Sequence, residues 1–138
     1  MRWNPSISSF TEDNYKECVE NMEGGKFRMN WSIYEWEEAR RGDMFYMLRV
    51  GDDKAGITFN GYFLSDPYTG DDWAGSTKRR IYVDMVCFSP SKPGAKPRIS
   101  LQQLESTIPS VGWAKGHSGE LLSEDVVKQL EPLWDKKK

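Results

Sequence analysis

The chain has 138 residues, a formal net charge of −2 and a 13% aromatic fraction that includes six Trp. That length suits one domain, residues 1–138, with a real core, and the charge excludes a global basic field of the kind that attracts nucleic acid regardless of sequence. No apolar run approaches a membrane span and the start lacks a signal-peptide pattern, so the expectation is a soluble, cytoplasmic protein with no membrane partner.

In chain order, residues 2–7 are a short strand candidate interrupted by Pro5, which suits an edge or a bulge. Thr11 is an N-cap followed by Glu12 and Asp13, where a helix dipole favours acid. Tyr15, Cys18, Val19 and Met22 recur at i, i+3, i+4, i+7, which predicts an amphipathic helix ending near Gly24 and Gly25. Residues 27–31 read as extended. Ser32 is then positioned to cap a short helix over 33–41, closed by Gly42.

The strongest pattern follows. Two aromatic-rich β-forming runs, 44–50 and 57–64, flank a polar segment with Gly51, Asp52, Asp53 and Gly56, which predicts a hairpin with a loose loop. In the second run Ile57, Phe59, Gly61 and Phe63 alternate onto one face, the expected core face, opposite Thr58, Asn60, Tyr62 and Leu64. Gly61 in mid-strand signals either a bulge or a close approach by another backbone or a ligand.

Residues 65–80 form a long polar connection carrying Trp73 and the basic run Lys78, Arg79 and Arg80; a connection of that length without a pattern of its own is commonly functional. Residues 81–88 are a third strand. A Pro/Lys/Gly loop spans 89–97, and Ser100 with Gln103 makes a capping box for a brief helix. The stretch 108–118 is irregular and holds Trp113 and the only histidine, His117. Ser123 caps a final helix with Val126, Val127, Leu130, Leu133 and Trp134 on its apolar face, which Pro132 is expected to kink or restart. Strands and helices without βαβ alternation imply an α+β fold.

Catalytic signatures are sparse. One histidine cannot build a multi-His metal site, Cys18 and Cys87 have no metal-ligand spacing and read as free thiols, and no Walker or GxGxxG glycine pattern occurs. The expectation is therefore no catalytic residue, no metal and no cofactor. An enzyme using His117 as acid or base, with Cys87 or Asp84 nearby, ranks last. The tryptophans say more. Trp31, Trp73 and Trp113 fall at junctions and in loops rather than in periodic runs, where each serves either as a packing plug or as a stacking surface; base stacking on an aromatic face is worth about 1–3 kcal/mol per base. Trp3, Trp36 and Trp134 lie in patterned elements and read as core or near-core.

The chain also shows an ordered set of short motifs: WNPS at 3–6, NWS at 30–32, GD before an aromatic strand at 42–49, and G-I…G…S-x-P-Y over 56–68. An isolated Trp73, YVDM at 82–85, W-x4-SG at 113–119 and a terminal LW at 133–134 complete it. In this order they resemble the EVE-type branch of the PUA-like domains, including bacterial versions that stand alone or are joined to HNH endonucleases. The resemblance covers nearly the whole chain. It implies a curved, partly open β-barrel of about five or six strands with peripheral helices, binding DNA or RNA that carries a modified, typically methylated, base flipped into an aromatic pocket. A separate nuclease is a partner the resemblance allows. By similarity to the related YTH domains, Trp31 with Ser32 matches one segment of the aromatic cage and Trp73 a second, Asn4 matches a base-reading polar residue, and Ser118 and Gly119 match a recurring SG. Trp113 and Ser118 complete the expected base-binding set, and Arg49, Arg79 and Arg80 are the expected phosphate contacts. The alternative is a protein-interaction or small-molecule-sensing scaffold in which the tryptophans only pack.

Overall fold

The computed structural model describes residues 1–137. Among these the chain forms seven strands and three helices: β1 (Arg2–Trp3), α1 (Glu12–Glu20), β2 (Lys26–Ser32), β3 (Met44–Arg49), β4 (Gly56–Phe63), β5 (Tyr68–Asp71), β6 (Arg79–Phe88), β7 (Ile99–Ser100), α2 (Leu101–Thr107) and α3 (Glu124–Lys137). The strands make one mixed, open sheet in the order β1-β3-β4-β6-β2, with β5 on β6 and β7 on β4. Only β1 with β3 is parallel among the pairings; all others are antiparallel. The fold is α+β.

The β3–β4 hairpin holds the centre, and its register carries one irregularity. Met47 pairs with Phe59 but Leu48 pairs with Ile57, so Thr58 is an extra residue on β4, a β-bulge. Thr58 is buried, its hydroxyl donates to the Met47 carbonyl at 3.1 Å, and its own carbonyl accepts from Ser91 N at 2.7 Å. The extra residue turns Ile57 to the face opposite Phe59. This corrects the alternation expected from sequence, which placed the two together. Phe45, Met47, Phe59 and Phe63 join Trp3, Tyr15, Phe27 and Met85 in one core cluster; Leu48 and Ile57 join Ile99, Leu104, Trp113, Leu130 and Trp134 in the other. Helix α1 contributes to the first cluster, α2 and α3 to the second.

Gly61 is the close approach and not the bulge. A Cβ there would lie 1.9 Å from the Val86 carbonyl oxygen of β6 and 2.9 Å from the Phe45 ring. Local capping follows the side chains. The Thr11 hydroxyl accepts from Asn14 N while Asn14 reaches back to the Thr11 N–H, and the Ser100 hydroxyl accepts from Gln103 N. Helix α3 runs continuously through Pro132. Cys18 and Cys87 are both free, and burial raises the pKa of each.

Three elements differ from expectation. The first strand stops at Trp3, because residues 4–8 turn around the Asn4 carbonyl, which accepts from Ile7 N and Ser8 N. Residues 33–43 are not a helix: Ile33 N donates to the Ile81 carbonyl, and Tyr34 N and Glu35 N both donate to the Ser118 carbonyl, so these donors are used in tertiary contacts. Finally, the connection after β4 is not patternless. Its middle forms β5, which pairs Tyr68 with Tyr82 and Gly70 with Arg80, leaving a hairpin loop that carries Trp73.

Substituting Gly61→Ala is expected to destabilise the fold by roughly 2–3 kcal/mol in urea unfolding, since a backbone carbonyl yields less readily than a flexible side chain. An unchanged midpoint would contradict the close β4–β6 approach.

Candidate functional site

The two ends of the sheet, β1 and β2, are not ladder partners. The Trp31 side chain spans the gap: its indole Nε1 donates to the Arg2 carbonyl at 3.3 Å. A large open cavity of about 1070 Å³ lies here, lined from both sheet ends, from the turn after β1, from the β5–β6 hairpin and from residues 114–118.

The structure brings most of the expected site residues to this cavity: Asn4, Trp31, Ser32, Trp73, Arg79, Arg80 and Ser118 all line it. Asn4 lies against Gly51, whose φ is +94° and where a Cβ would come within 2.6 Å of the Asn4 amide nitrogen. Its Oδ1 accepts from the Ser6 N–H and hydroxyl, and its amide NH2 has no partner among the described residues. Trp31 is half-buried and meets Phe10 edge-on, with centroids 5.7 Å apart. Trp73 is 45% exposed; its N–H donates to the Tyr82 hydroxyl at 3.0 Å, and the Arg80 guanidinium carbon sits 5.2 Å from its ring centroid.

The hairpin loop is held by carboxylates. Asp72 accepts from the Ser76 hydroxyl, from Ala74 N at 3.0 Å and from Arg80 Nε. The Ser76 hydroxyl, then the Ala74 amide, lead the effects that hold the Asp72 carboxyl down to about 2, with Arg80 adding to them. Arg79 pairs with Asp71 at 2.7 Å on the exposed surface. Lys78 also lines the cavity, and its ammonium has no partner among the described residues.

Two expected contacts lie elsewhere. Trp113 is buried in the second core cluster, donating Nε1 to the Ile108 carbonyl at 2.9 Å, and has no face on this cavity. Arg49 is 5% exposed; it grips Asp52 through two nitrogens, pairs with Glu12 and lies 5.1 Å over the Trp3 ring. An arginine so enclosed presents no donors to a phosphate backbone. Ser118 lines the cavity, but its hydroxyl is occupied on both sides, accepting from Arg2 N at 3.0 Å and donating to Arg2 O at 3.1 Å. Its neighbour Gly119 sits at φ +102°, with a virtual Cβ 2.3 Å from the Glu35 carbonyl oxygen. In this chain the Ser118–Gly119 pair therefore fastens the 112–120 loop to β1 and to residue 35.

Sequence reasoning did not place Trp36, Tyr34, His117 or Arg2 at this cavity. Trp36, expected in or near the core, is 41% exposed and lines the cavity. Tyr34 and His117 stack at 4.2 Å with planes 28° apart and form another aromatic wall. Misreading residues 33–41 as a helix hid the first two, and no local signal joins Tyr34 to His117. Arg2 was also missed: its guanidinium donates to the Gly112, Trp113 and His117 carbonyls and pairs with Glu120 at 3.1 Å, pinning the loop that presents His117. Cys87 and Asp84 do not line the cavity beside His117.

Comparison with protein families, curated proteins and solved structures finds no match.

Because the Asp72 pKa is depressed on folding, its contribution is complete above the unfolded value near 3.8 and is lost as pH falls towards 2. Asp72→Asn is expected to lower the melting temperature at pH 7 and to converge on the parent near pH 2. Parallel curves across that range would contradict the role given to the carboxylate.

Proposed function

We propose that the chain is a non-catalytic nucleic-acid-binding module of the PUA-like, EVE-type kind, its open sheet acting as a partly open barrel that takes a modified, methylated base into the cavity between β1 and β2. The supporting observation is the convergence of Asn4 from the turn after β1, Trp31 and Ser32 from the end of β2, and Trp73 from the β5–β6 loop on one solvent-open cavity. A flat ring entering it meets indole surfaces, the free amide NH2 of Asn4 and the hydroxyl of Ser32. Flipping a base costs a few kcal/mol, and stacking with edge hydrogen bonds is of the size needed to offset that. Lys78 supplies a local positive charge without an ion-pair partner among the described residues, beside Arg79 and Arg80, which are paired with Asp71 and Asp72; one such charge is enough for a phosphate contact next to a single flipped nucleotide. The Tyr34–His117 stack and Trp36 extend the apolar surface for flanking bases.

A second reading, an interaction or small-molecule-sensing scaffold, is favoured by one observation: Trp31 is already packed on Phe10 and hydrogen-bonded to the Arg2 carbonyl. The two readings separate on Trp73, which is 45% exposed and belongs to neither core cluster. Under the nucleic-acid reading, a short oligonucleotide with a methylated base binds more tightly than its unmodified counterpart, and Trp73→Ala weakens binding by about tenfold with little change in melting temperature. Trp31→Ala weakens binding and also costs about 2 kcal/mol of stability, roughly half the usual cost of truncating a fully buried Trp. Lys78→Ala flattens the log–log salt dependence by about 0.7, the slope of one phosphate contact on a single strand. If neither oligonucleotide binds, or Trp73→Ala leaves binding unchanged, the nucleic-acid reading fails.

A further inference from the structure

A second cavity, of about 420 Å³, lies against β3, beneath the 33–43 segment and beside α3, and none of Asn4, Trp31, Ser32 and Trp73 lines it. Its volume falls in the range of small-ligand sites. The floor is apolar and aromatic, with Phe45, Phe63, Leu48 and Trp113 all buried at its walls. The rim is predominantly acidic. Glu35, Glu38 and Glu131 line it with no ion-pair partner among the described residues. Asp43 and Glu120 add two more carboxylates, the first accepting from Arg40 N and the second paired with Arg2.

The cationic groups on the same lining do not cancel this field. The Arg2 guanidinium is committed to Glu120 and to three carbonyls. Burial, with Arg2 nearby, pulls the Met1 amino group down to about 5, so it is largely neutral at pH 7, and it donates to the Tyr46 carbonyl. Burial and then the Glu131 charge push the Tyr46 hydroxyl up to about 12, consistent with a negative local potential. Five carboxylates thus line one cavity of a chain whose formal net charge is only −2.

We propose that this cavity binds a small organic ammonium ion with a compact apolar body. The hydrocarbon part fills the space between Phe45, Phe63 and Trp113, and the charged head stays at the mouth among Glu35, Glu38 and Glu131. An anion of the same shape meets repulsion, and a neutral isostere loses both the ion pairing and the attraction of a cation to aromatic faces. The site is independent of the nucleic-acid reading.

The test is calorimetric titration of the whole chain with phenethylammonium, 2-phenylethanol and 3-phenylpropionate, with amide chemical shifts to locate the bound probe. Phenethylammonium is expected to bind about tenfold more tightly than the alcohol, the scale of one partly exposed ion pair with a cation–aromatic contact. The carboxylate should show no binding at the same concentrations. The shifts should centre on Phe45, Phe63 and Trp113 and leave Trp31 and Trp73 unperturbed. The double variant Glu38→Gln with Glu131→Gln, both exposed positions that should leave the fold intact, is expected to remove the preference for the cation. Equal binding of amine and alcohol, shifts centred on the larger cavity, no binding at millimolar amine, or an unchanged preference in the double variant would each overturn the proposal.

Discussion

The rest of the structure depends on the single extra residue at Thr58. Without it, β4 would present Ile57 and Phe59 to the same side of the sheet, and the second cluster would lose its central strand contact. A bulge residue leaves ladder groups unpaired, and this one is satisfied in place: its hydroxyl takes the Met47 carbonyl and its carbonyl takes the Ser91 amide. Ser91 in turn receives the Tyr15 hydroxyl at 2.6 Å, linking the bulge to α1 through the first core. On the same edge, β4 pairs with β7 before the bulge and with β6 beyond it. One inserted residue thus divides the strand between two neighbours and two cores.

The larger cavity exists because the sheet does not close. Its ends are fastened by side chains instead of a ladder, chiefly the Trp31 indole on the Arg2 carbonyl and the Ser118 hydroxyl on both backbone groups of Arg2. Arg2 then spreads its guanidinium over the 112–120 loop. Closing a gap through a few side-chain bonds leaves concave, solvent-open space between them, with aromatic rings as its walls. This is the kind of place where proteins position ligand-binding groups on a rigid frame.

The two cavities differ in electrostatic character although they share the residues around Arg2 and Ile33. The larger is bordered by Lys78, Arg79 and Arg80, with Asp72 already engaged by Arg80; the smaller is bordered by carboxylates. A net charge near zero conceals this separation, because it sums over faces that point in different directions.

What the sequence determined by itself was local. The hairpin, the caps at Thr11 and Ser100, the apolar face of α3 and the α+β class follow from alternation, helical periodicity and side-chain hydrogen bonding within a few residues. Only the tertiary structure decided where backbone donors with distant partners would go. Residues 33–41 carry a helix-like pattern, but the Ser118 and Ile81 carbonyls take their amides, and so Tyr34 and Trp36 reach the cavity. The same long-range contacts sorted residues of one type into different roles. Trp113 is enclosed by α2 and α3 while Trp73 stays open, and Arg49 is enclosed by Glu12, Asp52 and Trp3 while Arg80 remains at the cavity. Burial and partner choice belong to the packed whole, and no spacing along the chain encodes them.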